Sequence, residues 1–473
     1  MVNTGKNRTA DDVIRHFENI SAIPRISGNT AQIAEYLISF AQKSGLEYVR
    51  DGADNVIIKK PATRGLEDRP TVILQGHTDM VAAGSSERVE AMKRNGVTLI
   101  REGDILRADG TTLGADNGIA VAYALAVLES DSIPHPALEC LFTSNEEIGL
   151  IGAGALDAGS LSGKLLINID GGGENTFTVG CAGGMRVDIS QPIRREKFCG
   201  EYYALTVSGL LGGHSGIDIH KPRINANKAI GECLSALGDI RLVSLSGGLA
   251  DNAIPAEASA VFISKQSPEE MAETVRSLEE KFKKTEGSAT VELISSEASG
   301  KALDASSTQS MLSLISAMPC GVIAMNEKIA DLVETSANVG CLRLAEDCFK
   351  LTASIRSSID NSKHAVLSDI IKIAEKHNST VSTRGEYPGW AYREISPLRD
   401  LFVAEFERLF GKAPIVTMIH AGLECGILAS KIEGLDCISI GPDTSNVHSA
   451  EESLSLPSAE RVWRLLLSVL EKI

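Results

Sequence analysis

The chain has 473 residues, of which 43% are hydrophobic and 23% charged, and its formal net charge at pH 7 is -16. This composition is typical of globular proteins, and the length is too great for one ordinary core, so two or three domains are expected. The acidic balance argues against a nucleic-acid partner and against an anionic membrane surface, because both attract basic patches.

The same composition bears on the cellular compartment. No apolar run is long enough to span a bilayer, and the N-terminus shows no apolar stretch of the kind found in secretory signals. The 9 cysteines are an odd number, are scattered, and include no Cys-x-x-Cys pair. Such cysteines suit a reducing compartment better than a disulfide framework, so we expect a cytoplasmic protein.

The first part of the chain alternates helical and strand patterns. Residues 9–45 are predicted to form two helices that are interrupted around Pro24. The predicted elements that follow are strands at 71–75, 138–142 and 164–168 and an alanine-rich helix at 118–128. Strands alternating with helices predict an α/β domain with a mostly parallel sheet and helices on both faces.

The pattern changes near residue 190. Two groups of strands and helices follow in tandem, and we interpret residues 190–388 as an inserted α+β lid domain of two ferredoxin-like halves. After Pro388 the α/β pattern returns, with helices at 398–410 and 458–472 and strands at 414–418 and 437–440. Residues 1–189 and 389–473 are therefore predicted to form one split catalytic domain.

Five short acidic or histidine signatures follow predicted strands. They are Gly76-His77-Thr78-Asp79, Gly114-Ala115-Asp116-Asn117-Gly118, Asn145-Glu146-Glu147-Ile148-Gly149, Asn168-Ile169-Asp170-Gly171-Gly172 and Val447-His448-Ser449. Active sites of open parallel sheets form beyond the carboxyl ends of the strands. Two histidines gathered with several carboxylates suit a two-metal hydrolytic site.

Each signature alone also has an ordinary structural explanation. His77 and Asp79 point to one side if the strand continues through them, but His-x-Asp is a common sequence. Asp116 lies just ahead of a helix and could be its N-cap. Asp170 and His448 could be structural, although a charge directly after a buried strand is costly unless it is paired or ligated. Five coincidences at strand ends favour the functional interpretation.

The adjacent Glu146 and Glu147 face different directions at a strand end. One can bind a metal while the other acts as a base, and their proximity raises one pKa, as suits a base that must later donate a proton. The alternative is a solvated acidic turn.

Two further candidates lie in the inserted region. His214 follows two glycines that permit close approach of the backbone to a ligand, with a flexible polar loop as the alternative. Arg356 ends a predicted strand, and its guanidinium could clamp a carboxylate, with an ordinary surface strand residue as the alternative.

Together these motifs resemble the metal-dependent aminoacyl-histidine dipeptidases, which belong to the co-catalytic zinc exopeptidases and are similar to carnosinase-like enzymes. The resemblance covers nearly the whole chain, and the segments that carry it are residues 23–29, 76–81, 109–118, 212–216, 225–228, 420–426 and 448–449. The stretches 109–118 and 420–426 are specific to the dipeptidase branch. One departure is Ala450, where this family would have a proline.

The resemblance implies a role for each matching residue. The metal ligands would be His77 and Asp170 for one ion, Glu147 and His448 for the other, and Asp116 as the bridge. The catalytic residues would be Glu146 as the general base, Asp79 as the residue that orients His77, and His214 as the oxyanion stabiliser. The substrate-binding residues would be Asn338 and Arg356 at the free carboxylate, and Glu424 at the substrate amine or in a supporting position.

We therefore predict a metallopeptidase that hydrolyses unblocked dipeptides, Xaa-His among them, through a water activated by two divalent metal ions, with Glu146 as the general base. The expected metal is zinc, which manganese or cobalt could replace. The alternatives are a hydrolase of N-acyl amino acids or short peptides at the same site, and a metal-binding module without catalysis. A monomer and a homodimer are equally compatible with the sequence.

Overall fold

The computed structural model describes residues 9–327, 329 and 332–473, so the N-terminal segment that bears on a secretory signal lies outside the described residues. The chain divides into two compact units. Unit 1 runs to Gly180 and resumes over Trp390–Met418 and Leu423–Ile473, and unit 2 comprises Cys181–Gly389 and Ile419–Gly422. The boundaries expected from the sequence were at residues 190 and 389. Among the described residues, no helix combines the length and the apolarity needed to cross a membrane.

The helices are numbered in chain order. They are α1 (Asp11–Ser21), α2 (Ala31–Lys43), α3 (Ser86–Asn95), α4 (Ala115–Glu129), α5 (Ile151–Ala155), α6 (Ala226–Ala236), α7 (Pro268–Lys283), α8 (Ala305–Ala317), α9 (Asp360–Lys376), α10 (Pro397–Phe410), α11 (Glu424–Lys431) and α12 (Leu456–Lys472), with a 3-10 turn at Ala158–Ser160.

The strands are numbered in the same way. They are β1 (Glu47–Arg50), β2 (Val56–Lys60), β3 (Val72–His77), β4 (Leu99–Glu102), β5 (Ile105–Ala108), β6 (Leu138–Thr143), β7 (Leu165–Asn168), β8 (Thr176–Cys181), β9 (Gly183–Pro192), β10 (Arg195–Glu196), β11 (Glu201–Ser208), β12 (Gly213–His214), β13 (Ile240–Gly247), β14 (Ala253–Ile254), β15 (Ala258–Ser264), β16 (Thr290–Ser295), β17 (Ala302–Leu303), β18 (Gly321–Met325), β19 (Val333–Leu344), β20 (Cys348–Ser357), β21 (Thr380–Tyr387), β22 (Ile415–Ile419), β23 (Asp436–Ser439), β24 (Thr444–Ser445) and β25 (Ser453–Ser455).

Unit 1 contains an eight-stranded sheet with the order β1-β2-β6-β3-β7-β23-β8-β22. Its four central strands, β6, β3, β7 and β23, are parallel. The flanks are antiparallel, since β1 and β2 form a hairpin, β2 pairs antiparallel with β6, and β8 pairs antiparallel with β23. The α/β class is confirmed, but the sheet is mixed rather than mostly parallel, because antiparallel strands flank its four parallel central strands.

The centre of this sheet is buried on both faces. Every residue of β3 and β6 is buried, as expected for strands that helices cover on both sides. The apolar helix α4 packs against β3, while α10 and α11 pack against β23. A smaller sheet with the order β24-β25-β5-β4 also lies in unit 1.

Unit 2 is built on a nine-stranded sheet in which neighbouring strands pair antiparallel. The elements β11-α6-β13-β15-α7-β16 form one βαββαβ half, with strand order β16-β11-β15-β13. The elements β9-α8-β19-β20-α9-β21 form the other, with order β19-β20-β9-β21. Both orders are those of a ferredoxin-like fold. The halves join through β13 and β19.

The two halves are nested rather than in tandem. The first strand of the second half, β9, precedes the whole first half in the chain. The sequence pattern predicts no strand at β9 or β13, and the predicted tandem order of the halves is therefore wrong. In β11 every second residue is buried, which is the pattern of a sheet with helices on one face.

Local sequence signals explain where the best-defined helices begin. Helix α7 starts with a capping box, in which the Ser267 side chain accepts from the backbone of Glu270 while the Glu270 side chain accepts from the backbone of Ser267. Helix α12 starts after Ser455, whose hydroxyl accepts from the Ser458 N–H, with a proline in its first turn.

Candidate metal centre

The parallel strands of unit 1 bring His77, the turn with Glu146 and Glu147, and Asp170 to one edge of the sheet. His77 is the last residue of β3, and it lies in register with Thr143 at the end of β6, so the turn with Glu146 and Glu147 follows beside it. Asp170 lies two residues beyond β7. Asp116 is in the first turn of α4, and His448 is in the loop between β24 and β25.

These side chains form two groups that share Asp116. Its Oδ1 lies 3.0 Å from His77 Nε2, and its Oδ2 lies 3.2 Å from His448 Nε2. Asp170 Oδ1 is 3.9 Å from His77 Nε2, and Glu147 Oε1 is 2.8 Å from His448 Nε2. In each group, the ligand atoms lie within 4.8 Å of one another. Each side of the Asp116 carboxylate thus has one imidazole and one further carboxylate.

The charges of this cluster perturb one another. Burial opposes ionisation of Asp116, but hydrogen bonds with His448 and His77 outweigh it and lower the pKa of Asp116. Hydrogen bonds with Asp116 and Glu147 raise the pKa of His448 to about 10. Burial and the neighbouring Asp116 raise the pKa of Asp170 well above its usual value. The buried carboxylates therefore repel one another when ionised, and bound divalent cations would neutralise their charge.

Glu146 belongs to neither of the two groups that share Asp116, but its carboxylate forms a third group with His77 and Glu147, with ligand atoms within 4.8 Å of one another. Burial raises its pKa well above the usual value, and the negative charges of Asp170 and Glu424 add to the effect, against the opposing influence of His77. A half-buried carboxylate that holds a proton readily is suited to accept a proton from water and to donate it later.

Asp79 is fully buried and supports more than one ligand. Its Oδ1 lies 3.4 Å from His77 Nδ1 and accepts the Glu146 N–H at 2.9 Å. Its Oδ2 accepts the Glu147 N–H at 3.3 Å and the Ser27 hydroxyl at 2.8 Å. Engagement of His77 Nδ1 leaves Nε2 as the atom available to a metal. The Asp79 carboxylate thus contacts His77 and also holds the turn that carries both glutamates.

One residue that the sequence analysis missed is Glu452, whose side chain is buried. Its Oε2 accepts the N–H groups of Leu113 and Gly114 at 2.8 and 2.9 Å, and its Oε1 accepts those of Ala115 and Asp116 at 2.9 and 3.2 Å. This single carboxylate shapes the turn that presents Asp116. The only signal in the sequence is an acidic pair shortly after His448, which is indistinguishable from a solvated turn.

Asn117, within the second signature, links three segments of the candidate site. Its amide donates to Ile169 O at 2.6 Å and to Asp170 Oδ1 at 3.1 Å, and its Oδ1 accepts the His77 N–H at 3.1 Å. Close packing makes these bonds possible, since a Cβ on Gly76 would lie 2.5 Å from Asn117 Oδ1. Asn117 therefore ties the ends of β3 and β7 to α4.

The segment 23–29 also supports this edge of the sheet. The Arg25 guanidinium is buried and donates to Thr78 O at 3.0 Å and to Gly114 O at 2.6 Å. Burial lowers the pKa of Arg25 to about 10. Gly28 donates its N–H to Asn145 Oδ1 at 2.6 Å. The first segment of the family resemblance thus contacts three of the signatures that follow it, through Thr78, Gly114 and Asn145.

Glu424 lies in the first turn of α11 and is fully buried. Its Oε2 accepts from Gln75 Nε2 at 2.5 Å and from the Thr143 hydroxyl at 2.7 Å. Burial raises the pKa of Glu424 to about 7. Its Oε2 contacts side chains of β3 and β6, which is a supporting position, while its Oε1 is buried without a partner among the described residues.

Comparison with known proteins identifies the family of this chain. The model of peptidase family M20/M25/M40 matches residues 73–472. The chain belongs to peptidase family M20/M25/M40. It is 36% identical over 467 residues to the cytosol non-specific dipeptidase of Escherichia coli (strain K12), covering 97% of this chain and 96% of that protein.

Solved structures share the fold of this chain. The aminoacylhistidine dipeptidase from Vibrio alginolyticus superposes with a TM-score of 0.90 at 34% identity, covering 100% of this chain and 99% of that chain. The aminopeptidase PepT from Bacillus cereus ATCC 10987 superposes with a TM-score of 0.62 at 16% identity, covering 98% of both chains, and shows the fold alone. The predicted resemblance and the enzyme class, a peptidase, are confirmed.

Unit 2 of this M20/M25/M40 peptidase holds His214 in a defined tautomer. Its Nδ1 accepts the N–H groups of Gly216 and Ile217, each at 3.1 Å, so the ring proton is assigned to Nε2. The Asp218 carboxylate accepts the His214 N–H at 2.9 Å. Burial and the nearby Arg356 lower the pKa of His214. The residue is therefore a neutral imidazole with one N–H available as a donor.

Arg356 is a buried cation that makes no ion pair with any other residue that the structure describes. Its Nη1 donates to the Tyr387 hydroxyl at 3.1 Å, and its Nε is buried without a partner among the described residues. A buried guanidinium with unused donors suits an incoming carboxylate, because a buried charge is costly unless it is paired.

Asn338 has no donor left for a substrate. Its amide donates to Ala253 O at 2.8 Å and to Asp251 O at 3.3 Å, while its Oδ1 accepts from Asn225 at 3.0 Å. Both N–H bonds are thus used inside unit 2, and the expectation that Asn338 holds the substrate carboxylate directly is not supported. Its contacts instead fix the segment that pairs with β12, which carries His214.

Proposed function

We propose that this peptidase is a metal-dependent dipeptidase that hydrolyses unblocked dipeptides, Xaa-His dipeptides among them. The observation that carries the proposal is the Asp116 carboxylate, whose two oxygens face His77 and His448 separately. Two similar proteins support it, since one is named a cytosol non-specific dipeptidase and the other an aminoacylhistidine dipeptidase.

The residues present fit two divalent cations. His77 and Asp170 would hold one ion, Glu147 and His448 the other, and Asp116 would bridge them. Imidazole and carboxylate donors suit zinc, and manganese or cobalt could replace it. When bound, such ions lower the pKa of a coordinated water and polarise a peptide carbonyl.

The protein side chains would then complete the hydrolysis. Glu146 takes a proton from the attacking water, whose oxygen bonds to the carbonyl carbon, and gives it to the amine as the C–N bond breaks. We assign the N–H of His214 Nε2 to the oxyanion and the Arg356 guanidinium to the free carboxylate of the substrate. Asp79, Asn338 and Glu424 would act as positioning residues.

The test of this function is hydrolysis of a dipeptide panel, including Xaa-His members, by metal-loaded and chelator-stripped protein. We expect cleavage only with metal, and a large loss of cleavage when the C-terminal carboxylate is amidated. Cleavage of N-acyl amino acids without cleavage of dipeptides would replace the proposal with the acyl-amino-acid alternative. Full metal loading without cleavage of either class would support a non-catalytic role.

We also propose that the protein acts in the cytoplasm on small peptides, without a nucleic-acid or membrane partner. The supporting observations are the net charge of -16 and the cytosolic name of the similar E. coli protein. A monomer and a homodimer are both compatible with this proposal, and light scattering of the active protein distinguishes them.

A further inference from the structure

Tyr387 ends strand β21 opposite Gly184 of β9, and Arg356 of β20 pairs with the same glycine from the other side. The three residues therefore form one row across the sheet of unit 2, and side chains in one row share a face. Gly184 leaves this face open, since a Cβ there would lie 2.6 Å from Tyr387 Oη. The tyrosine ring thus reaches across β9, and its hydroxyl accepts from Arg356 Nη1 at 3.1 Å.

A β-bulge places Tyr387 in this row. Between the pairs Arg384–Arg186 and Tyr387–Gly184, β21 advances three residues while β9 advances two. Bulges re-aim a side chain and are common next to active sites. Without the extra residue, Glu386 would lie opposite Gly184, and its carboxylate would oppose the binding of an anion on this face.

The phenol is held in place before any substrate arrives. Lys363 is fully buried, and its Nζ donates to the Tyr387 carbonyl and to Asp360 Oδ1, each at 2.9 Å. Gly422 packs against the ring, where a Cβ would lie 2.8 Å from Tyr387 Cε2. A donor that is already fixed reduces the ordering cost of binding a ligand.

Tyr387 and Arg356 each keep a donor that no described residue uses. A hydroxyl that accepts from a guanidinium has its own proton left to donate, and the Tyr387 O–H donates to no other residue that the structure describes. The Arg356 Nε is buried, which closes the edge of the guanidinium formed by Nε and Nη2. The Arg356 Nη2 also has no described partner, but it is not fully buried. A carboxylate therefore meets Arg356 at the end that bears both Nη atoms, where the Tyr387 hydroxyl lies.

We propose that Tyr387 binds the free carboxylate of the substrate together with Arg356. One carboxylate oxygen accepts from Arg356 Nη2 and the other accepts from the Tyr387 O–H. A C-terminal amide is bound less well, because hydrogen bonds to a charged acceptor are roughly twice as strong as those to a neutral one. Tyr387 thus restricts the enzyme to substrates with an unblocked C-terminus. This assignment rests on the proposed function for the reaction, but the binding step requires only a ligand with a free α-carboxylate.

Tyr387→Phe keeps the ring in place and removes the hydroxyl. For L-alanyl-L-histidine we expect KM to rise about tenfold, as for the loss of one hydrogen bond to a charged group, while kcat changes by less than about twofold. The ratio of kcat/KM for this dipeptide to that for its C-terminal amide should fall about fivefold. Tyr202→Phe is the matched control in the same unit, because it loses a hydroxyl that donates to Gly300 O at 2.9 Å, and it should leave both quantities unchanged.

A double variant separates direct binding from positioning. If Tyr387 acted only by holding Arg356, its hydroxyl would have no effect once the guanidinium is removed. We expect the double variant of Arg356→Gln with Tyr387→Phe to have a kcat/KM about threefold or more below that of Arg356→Gln alone, because the phenol still donates to the carboxylate in the single variant. Melting temperatures establish that each variant is folded.

An unchanged KM and an unchanged preference for the free carboxylate in folded Tyr387→Phe would overturn the proposal, as would the absence of a further loss in the Arg356→Gln background. A wild type that cleaves no dipeptide would remove the proposed function, and calorimetric titration with the uncleaved dipeptide then tests this proposal by itself. Binding that is about tenfold weaker in Tyr387→Phe, or about 1.4 kcal/mol, would sustain it. Equal binding by the two proteins, or no binding by the wild type, would overturn it.

Discussion

At the scale of single residues, the candidate site depends on side chains that use more than one polar atom. Asp116 turns one oxygen to each histidine. The Oδ1 of Asp79 lies next to His77 and accepts the Glu146 N–H, and its Oδ2 accepts the Glu147 N–H. Because each of these carboxylates joins separate segments, a substitution that preserves size but removes charge should have a specific effect.

Glu146→Gln should reduce turnover of a dipeptide by about 10²–10⁴-fold, because the amide cannot accept the proton of the attacking water. The bound metal should remain, since Glu146 is outside both groups that share Asp116. The measurement is kcat together with metal content by mass spectrometry. Glu147→Gln is the comparison, and it should lose metal as well as activity. Near-normal turnover of Glu146→Gln would remove the general-base assignment.

His420 gives unit 2 a dependence on pH. Burial, with the nearby Arg356, lowers the pKa of His420 to about 3, while the unfolded imidazole titrates near 6.5. Between these values the unfolded chain binds more protons than the folded chain, so stability should fall as pH decreases from about 6.5 toward 3. The His420 Nε2 also lies 2.7 Å from the Ser336 hydroxyl, which holds the ring inside the unit.

His420→Gln should remove this contribution to the pH dependence. From pH 7 to pH 5 the wild type should lose about 2 kcal/mol more stability than the variant, because the variant has no imidazole to protonate on unfolding. Urea unfolding at both pH values measures the difference, and His364→Gln, an exposed position on α9, is the control. Equal pH dependence in the wild type and His420→Gln would contradict the prediction.

At the scale of elements, the turn before α4 is shaped by a residue from the other end of the chain. Glu452 accepts four consecutive backbone N–H groups, from Leu113 to Asp116. The turn also needs Gly114, which has a φ of +71° and would meet Met80 and Arg25 if it carried a Cβ. The geometry of Asp116 is thus a property of the turn and of Glu452 together.

Glu452→Gln should destabilise the metal-free protein by about 2 kcal/mol or more, because the amide keeps only one acceptor oxygen and turns a donor toward backbone N–H groups. Urea unfolding measures this loss, and calorimetry should show weaker metal binding. The matched control is Glu451→Gln, whose exposed side chain is adjacent in the sequence. Equal stability of the two variants would show that the turn holds its shape without Glu452.

At the scale of the whole molecule, the ligands join segments that are distant in the chain. Glu147 and His448, 2.8 Å apart, are separated by 301 positions. In the absence of a cation, several carboxylates lie within 4.8 Å of the histidine nitrogens and close to each other. Metal ions that bind the folded protein and not the unfolded chain should therefore stabilise unit 1 by mass action.

Removal of metal by a chelator should lower the melting temperature, and added zinc should restore it, as measured by differential scanning calorimetry. Asp116→Asn is the control variant, because the loss of the shared carboxylate should make its melting temperature insensitive to the metal. Identical melting curves for the loaded and the stripped wild type would contradict a two-metal site made of these residues.

Much of the architecture could be predicted because local patterns report burial directly. The apolar runs that became β3, β6 and β7 lie within about two residues of their predicted positions, since buried parallel strands are continuously apolar. The strands β9 and β13 were missed. Their alternation of small, polar and apolar residues is typical of half-exposed strands and resembles a loop when it is read without its neighbours.

The residues of the candidate site also divide into those that sequence motifs identify and those that they do not. Short signatures identified His77, Asp116 and the other candidate ligands, because ligand chemistry restricts residue types. The expectation that every signature follows a strand of the parallel sheet is wrong for Asp116, which lies in the first turn of α4, and for His448, which lies between β24 and β25. Glu452, Asn117 and Arg25 left no comparable signal, because their function depends on which backbone groups they meet.

The sequence by itself therefore determined the fold class, the family and the set of candidate metal ligands, which are properties of composition, periodicity and short motifs. Only the tertiary structure showed that the Asn338 amide donates both of its hydrogen bonds to carbonyls inside unit 2. It also showed that the ferredoxin-like halves are nested and that Glu452 shapes the turn before Asp116. The physical reason is that a hydrogen bond or a strand pairing belongs to two segments, and neither segment alone specifies its partner.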